Sequence, residues 1–434
     1  MNIDLVILIL VLIVNLIIPA ISILLLKERQ DKIFLVILNL TVYLYSGFGL
    51  CYVATTEAIV IFYLFFVLVL NFSLVFFLNR EGKVEIIDYQ KANFFFDSKW
   101  GKKFVNIAVI LMFVLIIIQL FTLGVGVKDF LNFEIFDLTN IFIKEANVRE
   151  NTLSYVLDLL QKLLTPFLFI KLYDLVQDRK RFVSILVFLL WIYLEALKIG
   201  YIGRYKIVIY SLFVCYLLLV KEGSMLMRKF IPIIVVFILA MPLLLAYEDY
   251  RLGRDISLDY NYVVNASKLI EKESDYPKYY TQIIDADIVS PNDYFTWLVT
   301  IVLPKKIFPV NAVSINDEFS MYISGLDRDD PYYSIILPSI FGEALLVYGL
   351  FFSWVHAIVL ALILSVLIKF YRRFSKLSFL TIYLIVHVIS IGRGGSQGIV
   401  AYFINISLLF VVMSFFVKYI KIEDKKEGVI EWKY

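Results

Sequence analysis

Four arginines in this chain stand where a phosphate-bearing ligand could be gripped. Arg204 follows Gly200 and Gly203 in "GYIGRYK", Arg251 and Arg254 lie in "AYEDYRLGRD", and Arg393 sits in the glycine turn "GRGGS" at 392–396. A guanidinium offers a planar fork of donors that matches phosphate oxygens two at a time, and it keeps its charge at every physiological pH. Tyr247, Tyr250, Arg251 and Arg254 recur at i, i+3, i+4 and i+7, so a helix through them would carry two aromatics and two guanidiniums on one face. Glycines beside Arg204 and Arg393 are expected to let a bulky anion approach the backbone, and helix N-termini after both turns would add partial positive charge. Such an array suits a pyrophosphate. An arginine at a helix end also serves as an interfacial anchor, its stem in lipid and its head among the headgroups, and that use stays open for each of the four.

Acids are the candidates for proton transfer. Glu248 and Asp249, with Asp255 nearby, flank the arginine stripe, where they are either general bases or solvated loop charges. Glu343, in "LPSIFGEALLVYG", enters an apolar stretch where a carboxylate is costly unless paired, so it is either a base or a partner that holds an arginine. His356 and His387 lie in apolar runs and read as core residues. Glu195 and Lys198 are placed to pair with one another, and "DRDD" at 327–330 reads as a solvated acidic turn with the chemistry to hold a cation. No phosphate-binding glycine loop, dinucleotide fingerprint or zinc spacing occurs. No metal or cofactor is expected.

The elements that must position these groups are membrane helices. Of 434 residues 61% are hydrophobic and 18% charged, against about 25% charged in soluble domains, and the mean hydropathy is +0.84. Apolar runs long enough to cross a bilayer predict about eleven helices, at 3–26, 33–53, 58–78, 104–126, 153–176, 182–198, 205–220, 230–246, 344–368, 377–392 and 399–420. The first run lacks the basic start and small-residue cleavage site of a secretory signal, and is expected to remain as a span. Cys51 and Cys215 both fall in apolar runs and suggest no disulfide framework. A net charge of +3 spread over short loops, without a basic block, argues against nucleic acid as a partner.

Sidedness follows from Lys and Arg, which concentrate in cytoplasmic loops. The segments 27–32, 79–103, 177–181, 221–229, 369–376 and 418–434 hold 24 of them, whereas the short segments on the other side hold six. The N-terminus is therefore expected outside, and Lys83 and the tail "KIEDKKEGVIEWKY" inside. The whole chain reads as one integral membrane domain in which residues 247–332 form a long outward loop. Connections of that length are usually functional or disordered; this one carries Tyr, Trp and the apolar piece "YFTWLVTIVLP" (294–304), so it is expected to be an ordered cap. The stretch "FLNFEIFDLTNIFIKE" near 127–152 reads as an interfacial amphipathic piece on the same side.

From "WLVTIVLPKKIFP" (297–309) through "PYYSIILPSIFGEALLVYGLFFSWVHAIVLALIL" (331–364), and in the turns "GRYK" and "GRGGS", the chain resembles the oligosaccharide repeat-unit polymerases, the Wzy-type O-antigen and capsule polymerases. One element departs from the family pattern: "VYG" stands where an asparagine and an aromatic often precede the glycine. The resemblance implies an all-α, GT-C-like membrane glycosyltransferase in the bacterial cytoplasmic membrane. Its donor and acceptor would both be undecaprenyl-pyrophosphate-linked oligosaccharides, and a chain-length regulator is a partner the family can use. It implies that Arg204, Arg251, Arg254 and Arg393, with Tyr247 and Tyr250, bind the pyrophosphate, and that Glu248, Asp249 or Glu343 handles the proton. Two alternatives share the layout. An O-antigen ligase would be expected to need a histidine in the outward loop, and 247–332 contains none. A flippase for the lipid-linked unit would place charge near the midplane, with short loops.

Overall fold

The computed structural model describes residues 2–27, 29–53, 55–80, 98–131, 152–199, 271, 274–284, 286, 288–300, 314–327, 330, 336–372 and 391–396. Among these residues all regular structure is helical: α1 (Asn2–Leu25), α2 (Arg29–Val42), α3 (Glu57–Asn79), α4 (Lys99–Thr122), α5 (Thr152–Gln177), α6 (Arg181–Ile199), α7 (Tyr280–Ile284), α8 (Pro291–Thr300), α9 (Ile315–Ser324) and α10 (Ser339–Arg372). Short helical turns extend α2 as far as Cys51. Seven of the expected spans coincide with helices; those at 205–220, 230–246 and 399–420, and nearly all of 377–392, lie outside the described residues.

Among the described residues, four helical stretches are long and apolar enough to cross a membrane: Phe34–Cys51, Glu57–Asn79, Lys99–Thr122 and Ser339–Lys369. Asp158, Lys171 and Asp174 dilute α5, and Glu195 and Lys198 dilute α6. Local signals explain several ends. The Ser98 hydroxyl accepts from the Gly101 amide at 2.9 Å and caps α4. Gly325, in the left-handed conformation, stops α9.

The chain divides into two compact units. One comprises Met1–Glu81, Gly203–Lys369 and Ile382–Ala401; the other comprises Gly82–Ile202, Phe370–Thr381 and Tyr402–Tyr434. In the first unit the ring of Phe341 on α10 meets Tyr63, Phe66 and Tyr280 edge-on, each at 5.4 Å between centroids. Edge-to-face contact of this kind adds to the burial of the rings themselves. Asn79 donates to the Leu25 carbonyl, and Lys369 donates to that of Arg80, so the C-terminal ends of α1, α3 and α10 meet. At the opposite end, the Tyr52 hydroxyl bonds that of Ser274 at 2.8 Å, and the Tyr280 hydroxyl bonds that of Ser339 at 2.8 Å.

Within 247–332 the described residues form a short helical turn at Tyr276–Tyr279 and the helices α7, α8 and α9, together with non-helical residues. In α8, Tyr294 and Trp297 are buried against the protein, whereas Phe295 and Val299 are exposed. Positions 294 and 297 share the face that α8 turns inward.

Two polar contacts stitch the units internally. Asn39 and Asn71, both buried, exchange side-chain hydrogen bonds at 2.8 Å, and each amide also donates to the carbonyl four residues earlier. Amide pairs of this kind join helices in apolar surroundings, where packing alone discriminates poorly between partners. Asn71→Leu is expected to strand the Asn39 amide and lower stability by about 1–3 kcal/mol, read as an earlier thermal transition in detergent. Asn39→Leu combined with Asn71→Leu should recover much of that loss, and a double variant no better than the single would overturn the pairing argument.

In the second unit the expected Glu195–Lys198 pair forms at 2.6 Å and belongs to a larger network. The buried Lys198 ammonium also donates to the Gln161 carbonyl oxygen at 2.5 Å, and Gln161 donates to Gln119, which donates in turn to Ser154. Glu195 and Asp158, the latter 3.9 Å from the Lys198 ammonium, are a quarter to a third exposed, so their charge contributes modestly. The larger cost of Lys198→Met is the orphaned Gln161 oxygen, about 1–3 kcal/mol. An unchanged melting temperature would show that the network does not hold α4, α5 and α6 together.

Candidate functional site

The first unit carries the described part of the arginine array. Ile391 to Gly394 make one helical turn, closed by the Gly395 amide on the Ile391 carbonyl at 2.8 Å. Gly395 then takes a left-handed φ of 67°, a conformation that costs an L side chain energy. That reversal aims Ser396 at α10. Its amide donates to Glu343 Oε2 at 2.6 Å, and its hydroxyl donates to Oε1. A Cβ on Gly395 would fall on the Glu343 carboxylate, while one on Gly392 would lie 2.9 Å from the Thr41 Cβ and 3.1 Å from its carbonyl. The room expected beside Gly392 and Gly395 for an anion is therefore filled by the protein. These glycines let the turn wedge between α2 and α10.

Arg393 is partly exposed and donates from Nε to the Tyr276 hydroxyl at 2.8 Å. Tyr276 is itself buried and packs edge-on against Tyr45 at 5.9 Å between centroids. Because Nε lies in the guanidinium plane, this bond orients the fork. Tyr294 of α8 brings its hydroxyl within hydrogen-bonding reach of Ser396, and burial, then the nearby Glu343 carboxylate, pushes its pKa well above the ordinary tyrosine value. It therefore remains a neutral donor throughout the physiological range.

Both Glu343 oxygens hold Ser396, and only 2% of the residue is exposed. Of the two roles open to Glu343, the geometry favours the structural one, with a difference: the contact is to the turn that carries the arginine. Glu248, Asp249, Asp255, Tyr247, Tyr250, Arg251 and Arg254 lie outside the described residues, as do Arg204, His387 and Cys215. Asp327 and Asp330 belong to one turn, with the Asp330 amide on the Asp327 carbonyl at 3.0 Å.

Sequence reasoning did not single out Ser396, Tyr276 or Tyr294. Ser396 was visible inside "GRGGS". The tyrosines had no signal beyond the tyrosine richness of the loop, because their partners are distant along the chain. No protein-family model matches the chain, and neither the curated proteins nor the solved structures searched return a match.

Proposed function

We propose that this chain polymerises undecaprenyl-pyrophosphate-linked oligosaccharide repeat units on the outer face of the bacterial cytoplasmic membrane, in O-antigen or capsule biosynthesis. In this reading it is a GT-C-like enzyme of about eleven spans, with its N-terminus outside and its C-terminal tail in the cytoplasm. The observation that carries the reading is the mounting of Arg393: a guanidinium oriented by Tyr276, on a turn locked to Glu343, beside the helical segment that resembles the polymerases.

An acceptor hydroxyl attacks the anomeric carbon of the growing chain with inversion, and the bond to the pyrophosphate oxygen breaks. The electron pair leaves with undecaprenyl pyrophosphate, whose developing charge Arg393 stabilises together with Arg204, Arg251 and Arg254. Glu343 is engaged with Ser396, so the acceptor proton falls to Glu248 or Asp249. Deletion of the gene followed by a surface-polysaccharide gel tests the reading: single-unit glycans should persist and the ladder of longer chains should vanish. Loss of both from lipid A would indicate a ligase, and failure to export either would indicate a flippase.

A further inference from the structure

Helix α10 is not continuous. At Gly349 the backbone takes φ 68° and ψ −179°, so the segments on either side are separate half-helices. The part from Leu350 to Lys369, about 20 residues, is by itself long enough to cross the apolar core. Interrupted helices at membrane depth persist where the freed backbone is buried in protein or faces a cavity, and they recur at binding sites. A Cβ built on Gly349 meets no atom within 4 Å, so there is open space beside the break.

Two polar side chains converge there. Tyr348 and His356 are eight residues apart, about 12 Å along an unbroken helix, yet their ring centroids lie 5.9 Å apart. His356 is fully buried, and among the described residues neither of its nitrogens nor the buried Tyr348 hydroxyl has a hydrogen-bond partner. The ring of Tyr294 stands edge-on to His356 at 5.4 Å. An unpaired imidazole in an apolar helix weakens the fold, and an aliphatic side chain would pack as well. Residues that break such a rule without structural return mark function.

The chemistry narrows the ligand. Neutral imidazole presents one donor and one acceptor, and a tyrosine hydroxyl presents both, which matches groups that also do both. Aromatic rings with polar tips suit a molecule that has C–H faces and hydroxyl edges. We propose that the break at Gly349, with Tyr348, His356 and Tyr294, binds an uncharged polyhydroxylated ligand, a sugar ring of the acceptor, next to the Arg393 turn. This rests on the glycosyl-transfer reading. Tyr294 touches both places, so donor pyrophosphate and acceptor sugar would be held on either side of one tyrosine.

The full-length chain in phospholipid nanodiscs, as wild type, His356→Leu and Tyr348→Phe, tests this with two probes. One is the oligosaccharide repeat unit released by mild acid from the host's surface polysaccharide; the other is undecaprenyl pyrophosphate without sugar. Each substitution is expected to weaken oligosaccharide binding about tenfold and to leave undecaprenyl pyrophosphate binding unchanged. Wild-type affinity for the oligosaccharide in both variants, or equal loss of both probes, would overturn the site. A wild-type chain that binds undecaprenyl pyrophosphate but not the oligosaccharide overturns the site alone, and one that binds neither overturns the transfer reading with it. His356→Leu should also unfold at no lower temperature than wild type. Earlier unfolding counts against the proposal, because it would show the imidazole satisfied within the fold.

Discussion

Arg393→Lys is expected to abolish the long polysaccharide ladder while single-unit glycans persist, at normal protein levels. The Arg393 Nε is committed to the Tyr276 hydroxyl, and that bond sets the plane in which the rest of the fork is presented. A lysine's donors all radiate from one nitrogen, so it cannot hold Tyr276 and also present a coplanar two-nitrogen fork to two phosphate oxygens. Losing such a group from the transition state costs about 2–4 kcal/mol, on the order of 10² to 10³ in rate. Tyr276→Phe gives the graded control. The ring keeps its packing on Tyr45 while the orienting hydroxyl is gone, so activity should fall about tenfold without loss of protein. Arg204→Lys, Arg251→Lys and Arg254→Lys belong beside these variants, with expression measured for each. If all four lysine variants make a full ladder, the guanidiniums are interfacial anchors, because a lysine reaches the headgroups equally well.

How far the sequence could anticipate this site depends on the range of each interaction. Apolar runs bounded by basic residues marked α1, α3, α5 and α6 to within a few residues, because span length and the avoidance of buried charge act locally. The break in α10 did not show as a boundary, since Gly349 sits in an apolar run on both sides and single glycines are common in membrane helices. Glu343 attracted attention through the cost of a carboxylate at an apolar helix entrance, which requires some partner. Which partner was not legible: Ser396 lies 53 residues away, and only the left-handed Gly395 turns its donors toward α10. The reach from Arg393 to Tyr276 spans 117 residues and leaves no periodic trace. His356 read as an ordinary core residue, and only coordinates show that its nitrogens lack partners within the described structure.

Gly395→Ala should be as damaging as removing Glu343 itself, although it takes away no charged or titratable group. The left-handed φ of 67° costs an alanine about 1–2 kcal/mol, and the new Cβ would occupy the place of the Glu343 carboxylate. Carboxylate and turn must then separate, which strands the buried Ser396 amide and hydroxyl and releases Arg393 from its fixed mount. Comparison with Glu343→Ala and Glu343→Gln separates the two roles open to that acid. If Glu343 holds the turn, all three variants should lose the ladder and share an earlier thermal transition. Glu343→Gln should be the mildest, because it keeps one acceptor oxygen for Ser396. If Glu343 were the base, Glu343→Gln would be the most severe in rate and nearly silent in stability, and Gly395→Ala would retain the pH dependence of the wild type. A full ladder from Gly395→Ala at wild-type stability would detach the glycine turn from function and return Glu343 to the candidates for proton transfer.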